Sequence, residues 1–514
     1  MNLTTDKWIP VVWEDGKADK VSLLEVFLQG DKIRDLAVRP HERIALMRLL
    51  ICVAQAALGG PKDRAEWKTC RNRLPQAAAD YLAKWKPAFE LFGDGPRFLQ
   101  VKAVGSAPAE LDKTNFIDAD MTTLFNQEVM PGRLFEEDWI IFRLLTYQAF
   151  SAGGCCGGSF RDVDGKLKPQ KGKNGPCRDG SAFHCYLRSN NLLDTVYRNL
   201  ITVEDVLMLK PLLWGRPVWE LSCMTSVELE KHADLGASYL GRLVPISRAL
   251  WLQVDRQTVM IANGLNYPGL SSDGLRLEPA MAVKKCTDKQ GRESRRPVTA
   301  KSGESIRHPW RELQSVLMLQ RDGCGGPLTL RNVDDSALFD LWLGAFVTDQ
   351  AKTEDSVEFV FARVPQAMFS DIQVQNVYAK GVTFSARVET RLLYAGECYR
   401  VALEHSVGDE FAATKAFASM RRGEKERARA LVIPMMSSYW TLLESQVGKL
   451  MDGAAQLDLD QWMVCVNKSA RAAYKLSCPH ETPRQLKAYS LGLSVLLKTV
   501  EAESNEPATE EIEE

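Results

Sequence analysis

The chain has 514 residues, of which 45% are hydrophobic, and its formal net charge at pH 7 is -1. This length and apolar content allow several packed domains and exclude an intrinsically disordered chain. The near-neutral charge gives no general attraction to nucleic acid, so a polyanion site must come from local clusters of Lys and Arg.

Cysteine spacing and hydropathy exclude two further classes of protein. The 12 cysteines are dispersed without the paired spacing of a zinc finger, and we predict reduced thiols in the core. The opening MNLTTDKWIPVVWEDG lacks the basic and apolar segments of a signal peptide, and no run approaches the roughly 18 apolar residues that span a bilayer. The sequence therefore predicts a soluble, cytoplasmic protein with no membrane partner.

The first part of the chain predicts one strand and two buried helices. Residues 8–13 (WIPVVW) are typical of a strand that enters a tight turn. Residues 41–58 place apolar side chains at three-and-four spacing, which predicts an amphipathic helix ended by Gly59-Gly60-Pro61. Residues 139–150 (WIIFRLLTYQAF) predict a second buried helix, which stops before Gly153-Gly154.

The middle of the chain mixes short β-like runs with loops that contain Gly and Pro. The β-like runs lie at 183–187, 258–262 and 358–362. Two stretches, 161–178 and 284–301, are locally basic and rich in turn formers, so we predict exposed loops there.

From about residue 385 onward the sequence has almost no pattern typical of β-strands. We predict four helices joined by short loops, as an antiparallel bundle requires, at 386–417, 432–452, 457–477 and 482–501. The Glu-rich end of the chain predicts a disordered acidic tail. The predicted fold class is therefore α+β, with a large irregular mixed domain at 1–380, an all-α four-helix bundle at 381–502 and the tail at 503–514.

Common catalytic motifs are absent from the sequence. The six histidines lie far apart, and there is no GxxxxGK[ST], HExxH or GxSxG. Residues 153–158 (GGCCGG) lack the Lys and Ser/Thr of a phosphate-binding loop. We therefore predict no catalytic residue, metal or cofactor. Two alternatives stay open: a metal-dependent nuclease or nucleic-acid-modifying enzyme built from scattered carboxylates, and a helical interaction protein whose basic loops aid solubility.

Two short motifs contain residue types suited to contacts with nucleic acid. Leu124-Phe125-Asn126-Gln127 joins an apolar pair to two amides, which suits a loop anchor that offers hydrogen bonds; an ordinary buried anchor is the alternative. Gly157-Gly158-Ser159 has almost no side-chain bulk, so its backbone fits against a sugar-phosphate wall. A flexible connector between a helix and a strand is the alternative for this second motif.

A third motif is a polar turn between two apolar segments. Thr348-Asp349-Gln350-Ala351-Lys352 separates LFDLWLGAFV from the strand-like VEFVFA. Packed elements on both sides hold the tip of such a turn rigidly outward. A plain β-turn is the alternative, and Asp349 either contacts a base amino group or caps the turn.

Cations recur along the predicted bundle. Arg421, Arg422 and Lys425 lie in a run of alternating sign, whereas Lys468 and Arg471 belong to a stripe at three-and-four spacing on one helix. One interpretation is salt-sensitive contact with phosphates without sequence preference. The other is a solvated, self-paired helix surface.

The order and spacing of these motifs resemble the CasA family, the large subunits of type I-E CRISPR surveillance complexes (Cascade). The resemblance includes the opening MNLTTDKWIPV, LFNQ at 124–127, the Gly-rich segment before Phe160, the segment 180–188 and VTDQA at 347–351. It implies a non-catalytic subunit in antiviral defence. The partners that it implies are the guide CRISPR RNA, double-stranded target DNA, the backbone, small and handle-binding Cascade subunits, and a helicase–nuclease recruited in trans.

The resemblance also implies roles for the motifs. The LFNQ loop docks near the 5′ end of the guide RNA, and residues 157–159 read the protospacer-adjacent motif (PAM) from the minor groove. Asp349, Gln350 and Ala351 form a wedge that parts the first target base pair and starts R-loop formation. Arg248 is the cation that completes motif reading, with a surface ion pair as its alternative. The bundle cations help to hold the displaced strand.

Overall fold

The chain forms two compact units, Met1–Gln366 and Ala367–Glu514. The computed structural model describes residues 1–110, 135–161, 167–208, 212–221, 223–268, 278–287, 291, 293–302, 305–306, 308–317, 325–333, 338–349, 352–405, 407–430 and 432–503. Within these residues, helices and strands mix in the first unit and helices alone form the second. This confirms the predicted α+β class with a C-terminal helical region. The predicted tail at 503–514 lies, after its first residue, outside the described residues.

The strands belong to the first unit and form small antiparallel sheets. In chain order β1 to β15 are Ile9–Trp13, Ala18–Val21, Ile33–Leu36, Ala109–Glu110, Gly154–Arg161, Leu167–Gly172, His184–Arg188, Arg248–Leu252, Thr258–Asn263, Val283–Thr287, Glu293–Pro297, Lys301–Ser302, Ser305–Ile306, Leu338–Asp349 and Lys352–Pro365. Three sheets have the strand orders β2-β1-β3, β4-β9-β8 and β15-β14-β7. Three further pairs, β5-β6, β10-β11 and β12-β13, are hairpins.

A long buried helix forms the centre of the first unit. The helices α1 to α10 are Leu23–Leu28, Pro40–Leu58, Arg64–Cys70, Leu74–Trp85, Glu137–Phe150, Leu192–Arg198, Val203–Met208, Ser226–Leu229, Tyr239–Leu243 and Leu313–Leu317. The helix predicted at 41–58 is confirmed as α2, and most of its residues are buried, as expected of a helix surrounded by core. It ends at Gly59, whose φ of 67° lies in the left-handed region that glycine adopts without strain.

A buried ion cluster joins α2 to α9. Arg48 on α2 and Arg242 on α9 both pair with Glu278, and each of these side chains is 2% exposed. The Arg48 Nε also donates to the carbonyl oxygen of Leu243 at 2.9 Å. Burial alone raises the pKa of the Glu278 carboxyl, but the two guanidinium groups more than offset burial and hold this pKa below its ordinary value.

Helices of the second unit pack around one 34-residue helix. In chain order α11 to α18 are Ala367–Ser370, Ile372–His405, Glu410–Ser419, Arg422–Ala430, Ile433–Glu444, Val447–Ala455, Asp460–Ser477 and Pro483–Glu503. Trp462 on α17 is buried against α12 and donates from Nε1 to the carbonyl oxygen of Gly381 at 3.0 Å. Gly381 allows this approach, since a Cβ there would lie 3.2 Å from the Trp462 Cδ1 and 2.4 Å from the Leu450 Cδ1.

Two of the four helices predicted in the second unit are each divided in the structure, and α14 lies between them where a loop was predicted. The predicted helix at 386–417 is two helices, because Asp409 caps α13 by accepting a hydrogen bond from the Ala412 backbone N–H at 2.8 Å. The predicted helix at 432–452 is divided into α15 and α16 at Ser445 and Gln446. Within the described residues, no helix combines the length and the apolar content that crossing a membrane requires.

The long helix α12 also begins upstream of the predicted start at 386. Val374, Tyr378, Gly381 and Ser385 are all buried and recur at three-and-four spacing, so one continuous helix face covers the region that was predicted to be irregular. The unit boundary at Gln366 accordingly lies upstream of the predicted boundary at 380.

Candidate nucleic-acid interface

The Gly-rich motif lies on a β-hairpin rather than in a loop. β5 and β6 form an antiparallel ladder in which Ser159 is opposite Pro169. The register shifts between Cys155 and Ser159, so Gly157 and Gly158 lie in an irregular stretch of the strand. Glycine inside a strand is typical of a bulge or of the close approach of another backbone. The structure therefore shows a two-stranded ribbon where the alternative interpretation expected a flexible connector. This ribbon is named here the glycine hairpin (residues 154–172).

The polar turn lies at the end of a second hairpin, β14–β15. Asp349 is opposite Lys352, so Gln350 and Ala351 connect the two strands; these two residues lie outside the described residues. The Asp349 side chain is 61% exposed, and its Oδ2 lies 3.9 Å from the Lys301 Nζ. This separation makes a weak surface pair, so the carboxylate of Asp349 remains largely solvated.

Two contacts fix the part of β14 that precedes this turn. The backbone N–H of Thr348 donates to the Ser181 Oγ at 3.0 Å, and the Ser181 hydroxyl donates to the Thr348 carbonyl oxygen at 3.2 Å. The Phe346 ring packs on the ring of Phe150, with 5.0 Å between their centroids. Phe150 ends α5, just before the glycine hairpin begins. The structure thus brings the start of the glycine hairpin against the strand that carries the polar turn.

Arg248 lies inside the first unit and not at its surface. Its residue exposure is 1%, and its Nη1 donates to the carbonyl oxygens of Lys173 at 3.1 Å and Ser247 at 2.7 Å. Its Nη2 donates to the carbonyl oxygen of Ala152. A guanidinium group so enclosed is not available to a DNA groove or to a surface ion pair. We therefore correct both interpretations of Arg248, the DNA-contacting cation and the exposed pair.

Sequence reasoning missed the network around Arg248, although one signal pointed to burial. Arg248 begins β8, and the continuous apolar run that follows it is typical of a buried strand; all five residues (RALWL) are buried. Gln148 on α5 is the partner that sequence reasoning did not single out. Its Oε1 accepts from the Arg248 backbone N–H at 2.9 Å, and its Nε2 donates to the Arg248 carbonyl oxygen at 2.8 Å.

A basic stripe on α17 lies on an exposed face. Lys468, Arg471 and Lys475 are all exposed and recur at three-and-four spacing, so their side chains project from one side of the helix. Among the described residues, none of the three forms an ion pair. This arrangement, named here the α17 stripe, offers three cations to an external anion.

Two cations near the start of α14 are already engaged, Arg422 with its own helix and Lys425 with α13. The Arg422 Nε lies 2.8 Å from the Glu426 Oε1, and the Lys425 Nζ donates to the Ala418 carbonyl oxygen at 2.8 Å. Arg421 is exposed, and its backbone N–H donates to the Glu424 carboxylate. These contacts agree with the self-paired interpretation of this edge, but they do not bury the charges.

Two further observations complete the comparison with the predicted sites. Leu124, Phe125, Asn126 and Gln127 lie outside the described residues. Within the part of the chain that the structure describes, no group of three or more His, Cys, Asp or Glu side chains has the arrangement of a metal site.

Comparisons with known proteins match nearly the whole chain. The family model described as CRISPR-associated protein Cse1 matches residues 2–476. The CRISPR-associated protein CasA/Cse1 of Thermus thermophilus is 27% identical over 242 residues, which are 45% of this chain and 44% of that relative. The alignment with this relative therefore spans less than half of either protein.

Two solved structures have the same fold as the chain. A crystal structure of Thermus thermophilus CasA matches with a TM-score of 0.73 at 20% identity, over 98% of this chain and 99% of that one. A chain of a CRISPR RNA-guided surveillance complex matches with a TM-score of 0.65 at 17% identity, over 96% of this chain and 99% of that one.

Proposed function

Since the chain belongs to the family of CRISPR-associated protein Cse1, we propose that it is the non-catalytic large subunit of a type I-E CRISPR Cascade complex. The family resemblance found in the sequence is thereby confirmed. In this proposal the subunit works in the cytoplasm with the guide CRISPR RNA and the other Cascade subunits. It recognises the PAM in double-stranded target DNA, starts strand separation for guide pairing and recruits the helicase–nuclease.

The observation that carries the proposal is the packing of the end of α5 against the strand that leads to the polar turn. The ring of Phe150, the last residue of α5 before the glycine hairpin, packs on Phe346 of β14. This packing places the segment that leads into a backbone with little side-chain bulk next to the strand that leads into a polar turn. This is the arrangement that reading one edge of a duplex and opening the adjacent base pair requires.

Rigidity matters because opening the duplex is unfavourable at its first step. Unstacking a base step costs on the order of a few kcal/mol, before guide pairing replaces DNA pairing at near balance. β14 is buried over most of its length, and Ser181 binds both backbone groups of Thr348. Burial and these two hydrogen bonds therefore fix the end of β14 next to the turn.

The α17 stripe supports the proposed contact with the displaced strand. Lys468, Arg471 and Lys475 are exposed and have no carboxylate partner among the described residues. Neutralising phosphates with such cations releases counterions, so we expect this part of DNA binding to weaken steeply with salt and to be independent of sequence.

Two variants of the full chain in the assembled complex test the proposal. Gly158→Asp adds bulk and negative charge to the glycine hairpin and should weaken binding to a PAM-containing duplex. Gln350→Ala should slow strand opening, followed by the fluorescence of a base analogue at the first target position, with a smaller loss of duplex binding. Gly95→Asp and Gln373→Ala are matched controls, because Gly95 is exposed with no atom within 4 Å of the place that a Cβ would take and Gln373 is exposed on α12.

Unchanged target binding and unchanged strand opening in both variants would contradict the proposed site. The alternative of a nuclease predicts a different result. It requires that the isolated chain cleave DNA with Mg²⁺ or Mn²⁺, which a non-catalytic recognition subunit does not do.

A further inference from the structure

We infer that Arg248 is a positioning residue for the glycine hairpin, whose two ends it holds together from inside the first unit. The inference rests on the proposed function of that hairpin in DNA recognition. Arg248 donates to the carbonyl oxygen of Ala152, which precedes β5, and to that of Lys173, which follows β6. One guanidinium group thus joins the two ends of the hairpin at its base.

The hydrogen bonds beside Arg248 continue this closure. The Gly153 backbone N–H donates to the Asn174 Oδ1 at 2.6 Å, and the Gly175 backbone N–H donates to the Ser151 carbonyl oxygen at 2.8 Å. Each bond links the segment before β5 to the segment after β6. The two hydrogen bonds and the guanidinium of Arg248 therefore all link the two ends of the hairpin at its base.

Gly172 shows how closely the hairpin lies against this guanidinium. A Cβ at Gly172 would be 2.9 Å from the Arg248 Nη1 and 2.4 Å from the Asn263 Oδ1 on β9. The end of β6 therefore touches the Arg248 fork directly, without space for a methyl group. A substitution at Gly172 is therefore a second way to disturb the contact between the hairpin and Arg248.

The chemistry of the contact requires arginine rather than positive charge alone. The acceptors are three carbonyl oxygens from three chain segments, at Ala152, Lys173 and Ser247. A planar guanidinium presents its donors in a fixed fork that reaches such acceptors together, whereas a lysine ammonium is a point charge on a flexible stem. Lysine at position 248 would keep the positive charge but lose the planar arrangement of hydrogen-bond donors.

The test measures hydrogen exchange of backbone amides in residues 152–175, and PAM-dependent duplex binding, for the full chain in the assembled complex. Both Arg248→Met and Arg248→Lys should speed exchange in the hairpin by about tenfold or more, as expected when a hydrogen bond to a charged group is lost. Both should weaken PAM-dependent binding. Retention of normal exchange and binding in Arg248→Lys would overturn the inference, because it would mean that charge alone suffices.

Arg97→Met is the matched control. Arg97 is also buried and donates to carbonyl oxygens, those of Leu252 at 2.8 Å and Gly93 at 2.7 Å, and neither of these two hydrogen bonds involves the hairpin ends. Its loss should lower the thermal stability of the protein without faster exchange at 152–175. Equal acceleration in this control would overturn a specific role for Arg248.

Gly172→Ala keeps the test independent of the folding of the Arg248 variants. It leaves the guanidinium in place and should speed hairpin exchange by pushing β6 away from it. Its effect should be smaller when combined with Arg248→Met, since the two changes act on one contact. Faster hairpin exchange with normal PAM-dependent binding would support the positioning role of Arg248 and overturn the proposed function of the hairpin. Normal exchange in both Gly172→Ala and Arg248→Met would overturn the positioning role itself.

Discussion

The two units contain arginine–carboxylate pairs that are nearly identical in distance and opposite in environment. Arg242 and Glu278 lie 2.9 Å apart with both side chains 2% exposed, whereas Arg422 and Glu426 lie 2.8 Å apart with side chains 93% and 63% exposed. Water screens the second pair almost completely, and it does not reach the first. Distance alone therefore says little about what a charged pair contributes; burial decides whether it holds the fold or stays available to a partner.

The same contrast explains where the protein can meet a polyanion. Arg248 was predicted as a DNA contact from the family resemblance, yet its guanidinium donates to carbonyl oxygens inside the first unit. Lys468 and Arg471 were predicted as phosphate contacts from their spacing, and both lie on an open helix face. Burial therefore leaves only the second pair of cations accessible to a polyanion.

The largest effect is expected from removing the buried carboxylate. Glu278→Gln leaves the guanidinium groups of Arg48 and Arg242 buried without a counter-charge. Breaking a buried pair in this way typically costs about 3–5 kcal/mol in the free energy of unfolding. Chemical denaturation at pH 7 measures the loss, with Glu426→Gln as the exposed control. A loss below about 1 kcal/mol would mean that burial does not separate the two pairs as argued.

A partly buried carboxylate should give a smaller effect that depends on pH. Asp35 lies 2.5 Å from the Arg43 Nη1 and 2.7 Å from the Arg188 Nη2. Burial raises the pKa of Asp35, but these two cations outweigh burial and hold the pKa below its ordinary value. The resulting stability is present above the unfolded-state pKa of about 3.9 and is lost as pH falls through the folded-state value.

Asp35→Asn should therefore destabilise the protein at pH 7 by about 1.5–3 kcal/mol, the range for hydrogen bonds to charged groups. The difference from the parent chain should begin to shrink below about pH 4, where Asp35 of the unfolded parent chain becomes protonated, and should vanish below the folded-state pKa, where the folded carboxyl is protonated too. Denaturation curves at pH 7, 5 and 3.5 measure this trend. A difference that stays constant with pH would show that packing, not charge, accounts for the effect.

Sequence patterns predicted the elements whose cause is local. The apolar spacing at 41–58 and the capping chemistry of Gly59 lie within one helix, and α2 follows them closely. The polar turn around Asp349 is likewise visible, because apolar strands flank it on both sides. Asp409, a good N-cap residue, was available as a local signal for the break between α12 and α13 and was not used.

The place of Arg248 was not predictable in this way, because its partners are distant in the chain. Two of its acceptors, Lys173 and Ala152, lie 75 and 96 positions away. Neither is recognisable as a partner by residue type, since each contributes only its backbone carbonyl. Only the folded arrangement of α5, β8 and the glycine hairpin brings these atoms together.

The α17 stripe should affect DNA binding without affecting stability. Replacing Lys468, Arg471 and Lys475 by Gln should weaken binding of the assembled complex to all duplexes alike, with or without a PAM. Each phosphate contact that is lost should lower the slope of log affinity against log salt concentration by about one. Lys17→Gln, at an exposed position of the first unit, is the control. A loss confined to PAM-containing duplexes would contradict contact without sequence preference.

The smallest effect is expected at the exposed Arg422–Glu426 pair of α14. A variant of this pair distinguishes phosphate contact from a solvated helix surface. Glu426→Gln should leave the stability of the protein unchanged within error, because the Arg422–Glu426 pair is almost fully solvated. If this edge contacts phosphates, removing the carboxylate releases Arg422 and reduces repulsion, so DNA affinity should rise slightly and its salt dependence should steepen. If the edge is only a solvated helix surface, affinity and salt slope should both equal those of the parent. A titration of target duplex at two salt concentrations distinguishes these outcomes, because a folding defect would lower affinity instead of raising it.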